Sequence, residues 1–599
     1  MAKLSDYVFQ RVADAGVRHV FMLPGGGCMH LVDSLGREKR LAFTCNLHEQ
    51  ACAVAADAYA QYTGGLGAAL VTTGPGGTNA VTGVAGSWLD SIPVLIVSGQ
   101  VKRPDLMDGR GVRQMGFQEI NIVDIVRPIT KYAVKIDDPQ SIRYHFEKAV
   151  YLATHGRRGP VWIDIPLDVQ AAEIDEASLP SFDPSELAQP RPDLQPLAAE
   201  AIRLLNESER PVVLVGNGVR LAGAVEPFLE LVRLLDIPVL TTWKAMDLLA
   251  EDDPRYIGRP GAVGQRAANF AQQNADCLLT LGARLDLGQT AYNHAAFARG
   301  ARKIIVDVDP AEIRKLQMTI DLPVCGDAGD FLRAMLAQDD RIVRKPRAAW
   351  WAKCREWKSR FPIILPEYWD ETDGVNNYVL VDVIAESMRA GDVLIPGSSG
   401  GSSEVTMQAF RVPAGVRVFN TEGLGPMGFG LPAAIGGCIA SGGRRTVCID
   451  GDGGVQMNIQ ELETLHRLQL PLKLFVLSNA GYASIQSTQR TYFEGRYVAS
   501  SFDSGLSLPD MRKIATAYGL PTAEIRDHAN IRQQVREIME SPGPVVCDVR
   551  ISPNQRTAPR VSSRQRPDGL MESAPMEDLW PFLDREDFRK QMFISTVGP

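Results

Sequence analysis

Apolar residues along this chain fall into two kinds of run that alternate. Short continuous ones, such as residues 446–450 (TVCID) and 472–477 (LKLFVL), suit strands buried on both faces; longer stretches with apolar residues three and four apart suit amphipathic helices. Between these two runs Asn458, followed three residues later by Glu461, reads as an N-cap. It predicts a helix with Ile459, Leu462, Leu465 and Leu468 on one side. The same alternation predicts helices over 8–15, closed by Gly16, and over 50–62. It predicts strands over 19–23, 66–72, 93–98 and 393–395. Strands that alternate with helices give an α/β fold of doubly wound parallel sheets.

Two interruptions divide the pattern. Residues 171–197 are polar and Pro-rich, and residues 344–361 are charged and Trp-rich, so both read as spacers. Three consecutive domains are predicted, at 1–175, 195–345 and 365–555, within the three to five that a chain of 599 residues suggests. The remaining 556–599 is rich in Arg, Pro and Ser and predicts irregular backbone, ordered only if docked on the body.

Composition narrows the function. With 45% apolar and 22% charged residues and a net charge of −8, the chain has no general attraction for nucleic acid or anionic membranes. No apolar run approaches the roughly 20 residues of a membrane helix, so a cytoplasmic enzyme acting on a small metabolite is expected. Nine cysteines at irregular spacing, with no Cys-x-x-Cys pair, read as reduced core or near-core residues.

The chemistry concentrates at Gly451-Asp452-Gly453 and Asn479. One helix and one strand separate the two motifs; with the strand that leads into Gly451 they make a strand, crossover helix and parallel strand, so Asp452 and Asn479 reach the same sheet edge. One carboxylate, one amide oxygen and a backbone carbonyl near Gly481 make a hard-oxygen set that leaves room for a diphosphate on Mg²⁺.

His48-Glu49-Gln50, the loop 73–79 (TGPGGTN), Phe117-Gln118-Glu119, residues 425–430 (GPMGFG) and the Gly-Asp-Gly…Asn motif stand in this order. With them, residues 1 to about 555 resemble thiamine-diphosphate enzymes, and most of all the acetohydroxyacid synthase group. The resemblance implies a pyrimidine-binding domain, a central domain and a diphosphate-binding domain, with sites shared between the chains of a homodimer or homotetramer. It assigns Glu49 to N1′ of the aminopyrimidine, where a carboxylate makes a base of the cofactor itself. It places Gly26, Phe117 and Gln118 at the reacting centre, and Pro75 and Asn79 against the cofactor. Gly400, Gly401 and Ser402 would donate to the diphosphate, although this chain reads SSGGSSE where the synthases carry a Gly-x-Gly-Gln-His type of sequence. The Gly425 carbonyl and Met427 would hold the bent cofactor, with Gly451, Gly453, Gly454 and Ile485 around it and Asp452, Asn479 and Gly481 on the metal. The central domain resembles the FAD-binding version, with Arg157, Gly216, Gly218, Gly282, Arg284, Asp286, Asp307, Val308, Glu312 and Asp327 at flavin positions.

The departures from the pattern bear on substrate. The synthases carry a carboxylate-reading arginine where this chain has Gly288, and a tryptophan where it has Thr488. Loss of the guanidinium forfeits roughly 1.5–3 kcal/mol of charge-assisted bonding to an acid. The expected reaction is therefore decarboxylation of pyruvate and transfer of the two-carbon unit to a ketone, as in yersiniose-type branched-chain sugar synthases acting on nucleotide-linked keto-deoxysugars. The alternatives are an acetolactate (acetohydroxyacid) synthase joining two 2-oxo acids and a pyruvate oxidase-like flavoenzyme. A nicotinamide dehydrogenase is disfavoured because Gly216-Asn217-Gly218 is not completed at Ala222-Gly223. A catalytically silent partner subunit is disfavoured because Glu49, Asp452 and Asn479 are all present.

Overall fold

A computed structural model describes residues 1–187, 192–398, 400–552, 555–565, 568 and 571–595. Part of the first expected spacer (188–191) and Ser399 of the SSGGSSE loop lie outside the described residues. Three parallel six-stranded sheets follow one another along the chain. The first contains β1 (His19–Met22), β2 (Ala42–Cys45), β3 (Gly67–Val71), β4 (Val94–Gln100), β5 (Tyr132–Lys135) and β6 (Val161–Pro166). The second contains β7 (Pro211–Val215), β8 (Val239–Thr241), β9 (Tyr256–Gly258), β10 (Cys277–Leu281), β11 (Arg302–Asp307) and β12 (Leu322–Cys325). The third contains β13 (Val393–Pro396), β14 (Arg417–Val418), β15 (Thr446–Gly451), β16 (Leu472–Ser478), β17 (Thr522–Ile525) and β18 (Val545–Arg550). Runs such as VLIP, PVVLV and CLLTL are buried at every residue, which is why they read as unbroken apolar segments.

The first and third sheets share one strand order, β2-β1-β3-β4-β6-β5 and β14-β13-β15-β16-β18-β17, while the second runs β9-β8-β7-β10-β11-β12. In each, the chain leaves two adjacent strands in opposite directions: β1 and β3, β7 and β10, β13 and β15. Diverging connections open a crevice at the carboxyl ends of those strands, where open α/β sheets take their ligands. Close approach of backbone marks the three crevices. A Cβ built on Gly25 would stand 2.5 Å from Thr72, one on Gly216 2.3 Å from the Gly282 carbonyl, and one on Gly397 2.1 Å from Asp450.

The helix Glu49–Thr63 is buried around most of its circumference because alanines dominate it. It packs between its own sheet and the helix Gly430–Ala440 of the third unit, where a Cβ on Gly436 would stand 2.3 Å from the Ala55 carbonyl.

Several local expectations are corrected. Residues 344–361 contain the helix Ala348–Arg360, whose Trp350, Cys354 and Trp357 recur at helical spacing and bury against the second unit. The tail meets its condition for order, docked on the same unit with Val561, Met576, Leu579 and Phe588 in that apolar cluster and Glu577 buried against Arg299. Within the first spacer, Glu173–Ile174 pairs with Ala2–Lys3. Asn458 does not cap a helix: it is buried, its Nδ2 donates to the Gly428 carbonyl at 2.8 Å, and the helix starts at Glu461. All nine cysteines are free and seven are buried, but Cys45 is half-buried and Cys325 exposed. No described helix is long and apolar enough to cross a membrane.

Candidate active site and central cavity

Parallel pairing from Thr446↔Leu472 to Gly451↔Leu477 sets β15 and β16 flush, so Asn479, one residue past β16, arrives beside Asp452, one residue past β15. Asp452 Oδ2 accepts from the Asn479 amide at 3.1 Å and Oδ1 from the Gly453 amide at 2.9 Å. Asn479 Oδ1 accepts from the Gly481 amide at 3.2 Å, and Gly481 is held under the Ser500 carbonyl. Burial pushes the Asp452 carboxyl up to about 6. Each of these oxygens keeps a second lone pair, so the set fits a hard cation. Among the described residues no group of three or more His, Cys, Asp or Glu could hold a metal. A cation at Asp452 would therefore complete its shell from elsewhere, as Mg²⁺ does with phosphate oxygens.

Met427 closes this crevice from one side. Its Cε stands 3.6 Å from the Cβ position of Gly453, which also abuts the Tyr482 ring, so three loops meet here. Gly425 is left-handed (φ 59°), as is Gly400 (φ 57°). Gly401 lies against the Asn377 amide and Ser402 is buried, which places both at the end of β13 beside the crevice. Ile485 is 47% exposed on the helix Ala483–Tyr492, which buries none of its residues.

Sequence reasoning passed over Asp450. Its Oδ1 accepts from the Gly451 amide, Oδ2 is buried with no partner, and burial pushes the carboxyl up to about 7. Cβ atoms on Gly397, Gly430 or Gly454 would overlap it. Gly454 thus makes room for a carboxylate of the protein itself. The extra aspartate just before Gly-Asp-Gly was the available signal.

In the first unit His48 caps the helix Glu49–Thr63 by accepting from the Gln50 amide through Nδ1. Glu49 is buried, and its Oε2 accepts from Asn79 Nδ2 at 2.9 Å while Oε1 faces Gly76. The expected loop 73–79 is largely the start of the helix Pro75–Asp90, with Pro75 at its first position, so Asn79 is held on a helix. Gly26 has nothing within 4 Å of its Cβ position, and Phe117 is 86% exposed. Glu461 of the third unit reaches across to accept from Asn46 Nδ2 and the Leu47 amide, both at 2.8 Å, just ahead of Glu49. Read as part of a capping box, Glu461 gave no hint of this contact.

Every second-unit residue assigned above to flavin, together with Arg157, lines one cavity of about 870 Å³ at the β7/β10 crevice. Its volume suits a ligand the size of a dinucleotide. Gly216 and Gly218, however, are glycines because they pack on Gly282. Arg157 pairs with Asp309 at 2.8 Å and Glu312 at 2.5 Å, and Asp327 caps the helix Ala328–Leu336. Burial pushes Asp307 up to about 6. Two wall residues were not foreseen. Glu422 arrives from the third unit, pushed up to about 8 by burial and by Asp286 and Asp90. Lys244 donates to Asp90 Oδ2, Gln61 Oε1 and the Asn420 carbonyl, at 3.0, 3.0 and 2.7 Å.

Three crevices in three parallel sheets, one carrying an Asp-Asn oxygen set and another a buried glutamate, describe a thiamine-diphosphate enzyme, and the chain belongs to the thiamine pyrophosphate enzyme family. Residues 2–125 match the model of its N-terminal TPP binding domain, 198–335 that of its central domain, and 399–549 that of its C-terminal TPP binding domain. Among curated relatives, the chain is 34% identical to a probable acetolactate synthase large subunit of Methanocaldococcus jannaschii, over 92% of each chain. It is 31% identical to the acetolactate synthase large subunit of Porphyra purpurea, over 91% of each chain. It is 32% identical to the chloroplastic acetolactate synthase 1 of Zea mays, over 94% of this chain and 87% of that one.

These relatives overturn the expectation of a keto-deoxysugar acceptor, which rested on Gly288 and Thr488. Gly288 sits in the turn after β10 with its carbonyl accepting from the Ala262 amide, and Thr488 is exposed on its helix, bonded to the Ser484 carbonyl. Absence of a cation and of a large ring removes contacts; it builds none that would select a sugar nucleotide.

Proposed function

We propose that the protein is an acetolactate synthase-type carboligase that uses thiamine diphosphate, Mg²⁺ and FAD, releasing CO₂ from pyruvate and joining the remaining two-carbon unit to a second 2-oxo acid. The observation that carries this reading is the meeting of Asp452, Asn479 and Gly481 with Met427 at one crevice. The names of the full-length relatives support the choice of acceptor. Bound thiamine diphosphate supplies a carbon nucleophile and an electron sink.

The chain's own residues would do the rest. Asp452, Asn479 and the Gly481 carbonyl would hold Mg²⁺ against the diphosphate, beside the backbone of Gly400, Gly401 and Ser402. Glu49, one oxygen held by Asn79, would keep a proton at N1′ of the pyrimidine. Met427 would support the ring, and Gly26, Phe117 and Gln118 would face the substrate. FAD would fill the central cavity as a structural ligand, because carboligation moves no net electrons. The active unit is a homodimer or a tetramer built from it. Exposed Phe117, Val498 and Phe502, at 86%, 62% and 76%, are apolar surface of the kind a partner chain covers.

The test supplies purified protein with pyruvate, Mg²⁺ and thiamine diphosphate and measures CO₂ and acetolactate. Wild type should form both, and Glu49→Gln should release CO₂ roughly 10²–10⁴-fold more slowly with unchanged melting. Equal rates from the two proteins would remove Glu49 from the reaction. Wild type that releases CO₂ without acetolactate would overturn the acceptor.

A further inference from the structure

Residues 107–118 connect β4 to the helix Ile122–Val126 and carry Phe117 and Gln118. In the single chain the loop is exposed, with Val112, Met115 and Phe117 at 48%, 49% and 86%, and no strand or helix runs through residues 107–116. Lys135 pairs with Asp108 and Arg110 donates to the Pro104 carbonyl at 2.9 Å, but one buried carboxylate gathers its backbone amides. Glu119 is 5% exposed; its Oε1 accepts from the Met107 amide at 2.6 Å, and its Oε2 from the Met115 and Gly116 amides at 2.9 and 3.1 Å. Gln114 Nε2 donates to the Glu119 carbonyl at 3.1 Å. Among the described residues no lysine, arginine or histidine forms an ion pair with this carboxylate. The backbone amides are its counter-charge.

What Glu119 holds is continuous with Glu49. Gln118 is left-handed (φ 63°), and its carbonyl lies so close over Gly74 that a Cβ there would stand 2.1 Å away. Gly74 immediately precedes the helix Pro75–Asp90, whose Asn79 donates to Glu49. On the other flank Gln100 Nε2 donates both to the Ile120 carbonyl at 2.9 Å and to buried Asp164 at 3.0 Å. Residues 117–120 are therefore pinned from below and behind, while the Glu119 carboxylate gathers the backbone of the loop in front of them.

We propose that Glu119 is a positioning residue of the reacting centre: by collecting the Met107, Met115 and Gly116 amides it fixes where Phe117 and Gln118 stand relative to the Glu49–Asn79 pair, and hence which substrate pose is held. The proposal rests on the reading above in taking Phe117 and Gln118 to face substrate. A carboxylate suits the task. It offers about four lone-pair sites on two oxygens, whereas an amide of the same shape turns an NH₂ group against at least one of the three N–H donors.

The experiment compares full-length wild type, Glu119→Gln and Glu119→Asp with both thiamine diphosphate and Mg²⁺ bound. In hydrogen exchange, residues 107–118 should exchange about tenfold faster or more in Glu119→Gln, and less so in Glu119→Asp, with melting and thiamine diphosphate affinity unchanged. In turnover, KM for pyruvate should rise severalfold in Glu119→Gln, and the share of released CO₂ accompanied by acetolactate should fall. The maximal rate of CO₂ release should stay within about twofold, and Glu119→Asp should restore part of the loss. Unchanged exchange would show that the carboxylate does not organise the loop. Faster exchange with unaltered KM and product share would reduce Glu119 to a staple, and either result overturns the proposal. Wild type that releases no CO₂ from pyruvate defeats the functional reading itself and, with it, the substrate half of this proposal, a failure distinct from an altered ratio between variant and wild type.

Discussion

At the scale of single residues, the candidate site depends on carboxylates that burial makes reluctant to ionise. Asp452 is the proposed metal ligand, and its carboxyl sits near 6 before any cation neutralises it. A cation binds only the ionised form, so Mg²⁺ and the thiamine diphosphate it carries should bind progressively more weakly as pH falls through about 6. Titrating cofactor binding by fluorescence quenching between pH 5 and 8 checks this. Asp452→Ala should abolish the Mg²⁺-dependent part of binding at every pH, and an unchanged titration would remove Asp452 from the metal site. Glu49 differs in kind, because one of its oxygens is already committed to Asn79 and so its direction is fixed before a ligand arrives.

At the scale of elements, the all-round burial of Glu49–Thr63 lets first and third units share one helical layer. Gly436→Ala forces a Cβ to within 2.3 Å of the Ala55 carbonyl, where backbone rather than a flexible side chain must move. Overpacking of this kind costs about 1–3 kcal/mol, read as a lower urea midpoint with an unchanged slope. Strand β6 carries a pH-dependent liability. Asp164 is buried, bonded to Ser98 and Gln100, and pushed up to about 7 mainly by burial. Its ordinary value is 3.8, so between about 4 and 7 the folded state keeps a proton that the unfolded state has lost. That contribution to stability is fully present below about 4 and is lost as pH rises through about 7. Asp164→Asn should remove this slope, and urea midpoints at pH 5 and pH 8 should then lie closer together than in wild type.

At the scale of the whole molecule, buried charge joins the three units. Lys244, from the second, is bonded to Gln61 and Asp90 of the first and to the Asn420 carbonyl of the third. Asp247 is likewise shared by Arg220 and Arg417. Removing one partner of a buried pair costs about 3–5 kcal/mol because the other charge stays behind. Lys244→Met should therefore lower the melting temperature, and because Lys244 also lines the central cavity it should weaken retention of the FAD proposed to fill it, measured by absorbance after gel filtration. Unchanged melting would show that Asp90 is satisfied by the Glu422 and Gly423 amides alone.

The linear chain marked several central strands of the first and third sheets, because short unbroken apolar runs bounded by turn residues suit strands covered on both faces. It also determined the pairing of Asp452 with Asn479, because a strand, a helix and a strand of that length return the chain to the same edge. Tertiary structure alone decided the rest. Glu461 belongs to Asn46 and Leu47, about four hundred residues away; Lys244 belongs to three units at once; and the tryptophans at 350 and 357 turn an apparent spacer into core. Each of these is a long-range satisfaction of a buried polar or apolar group. Local pattern carries no record of the partner that satisfies it.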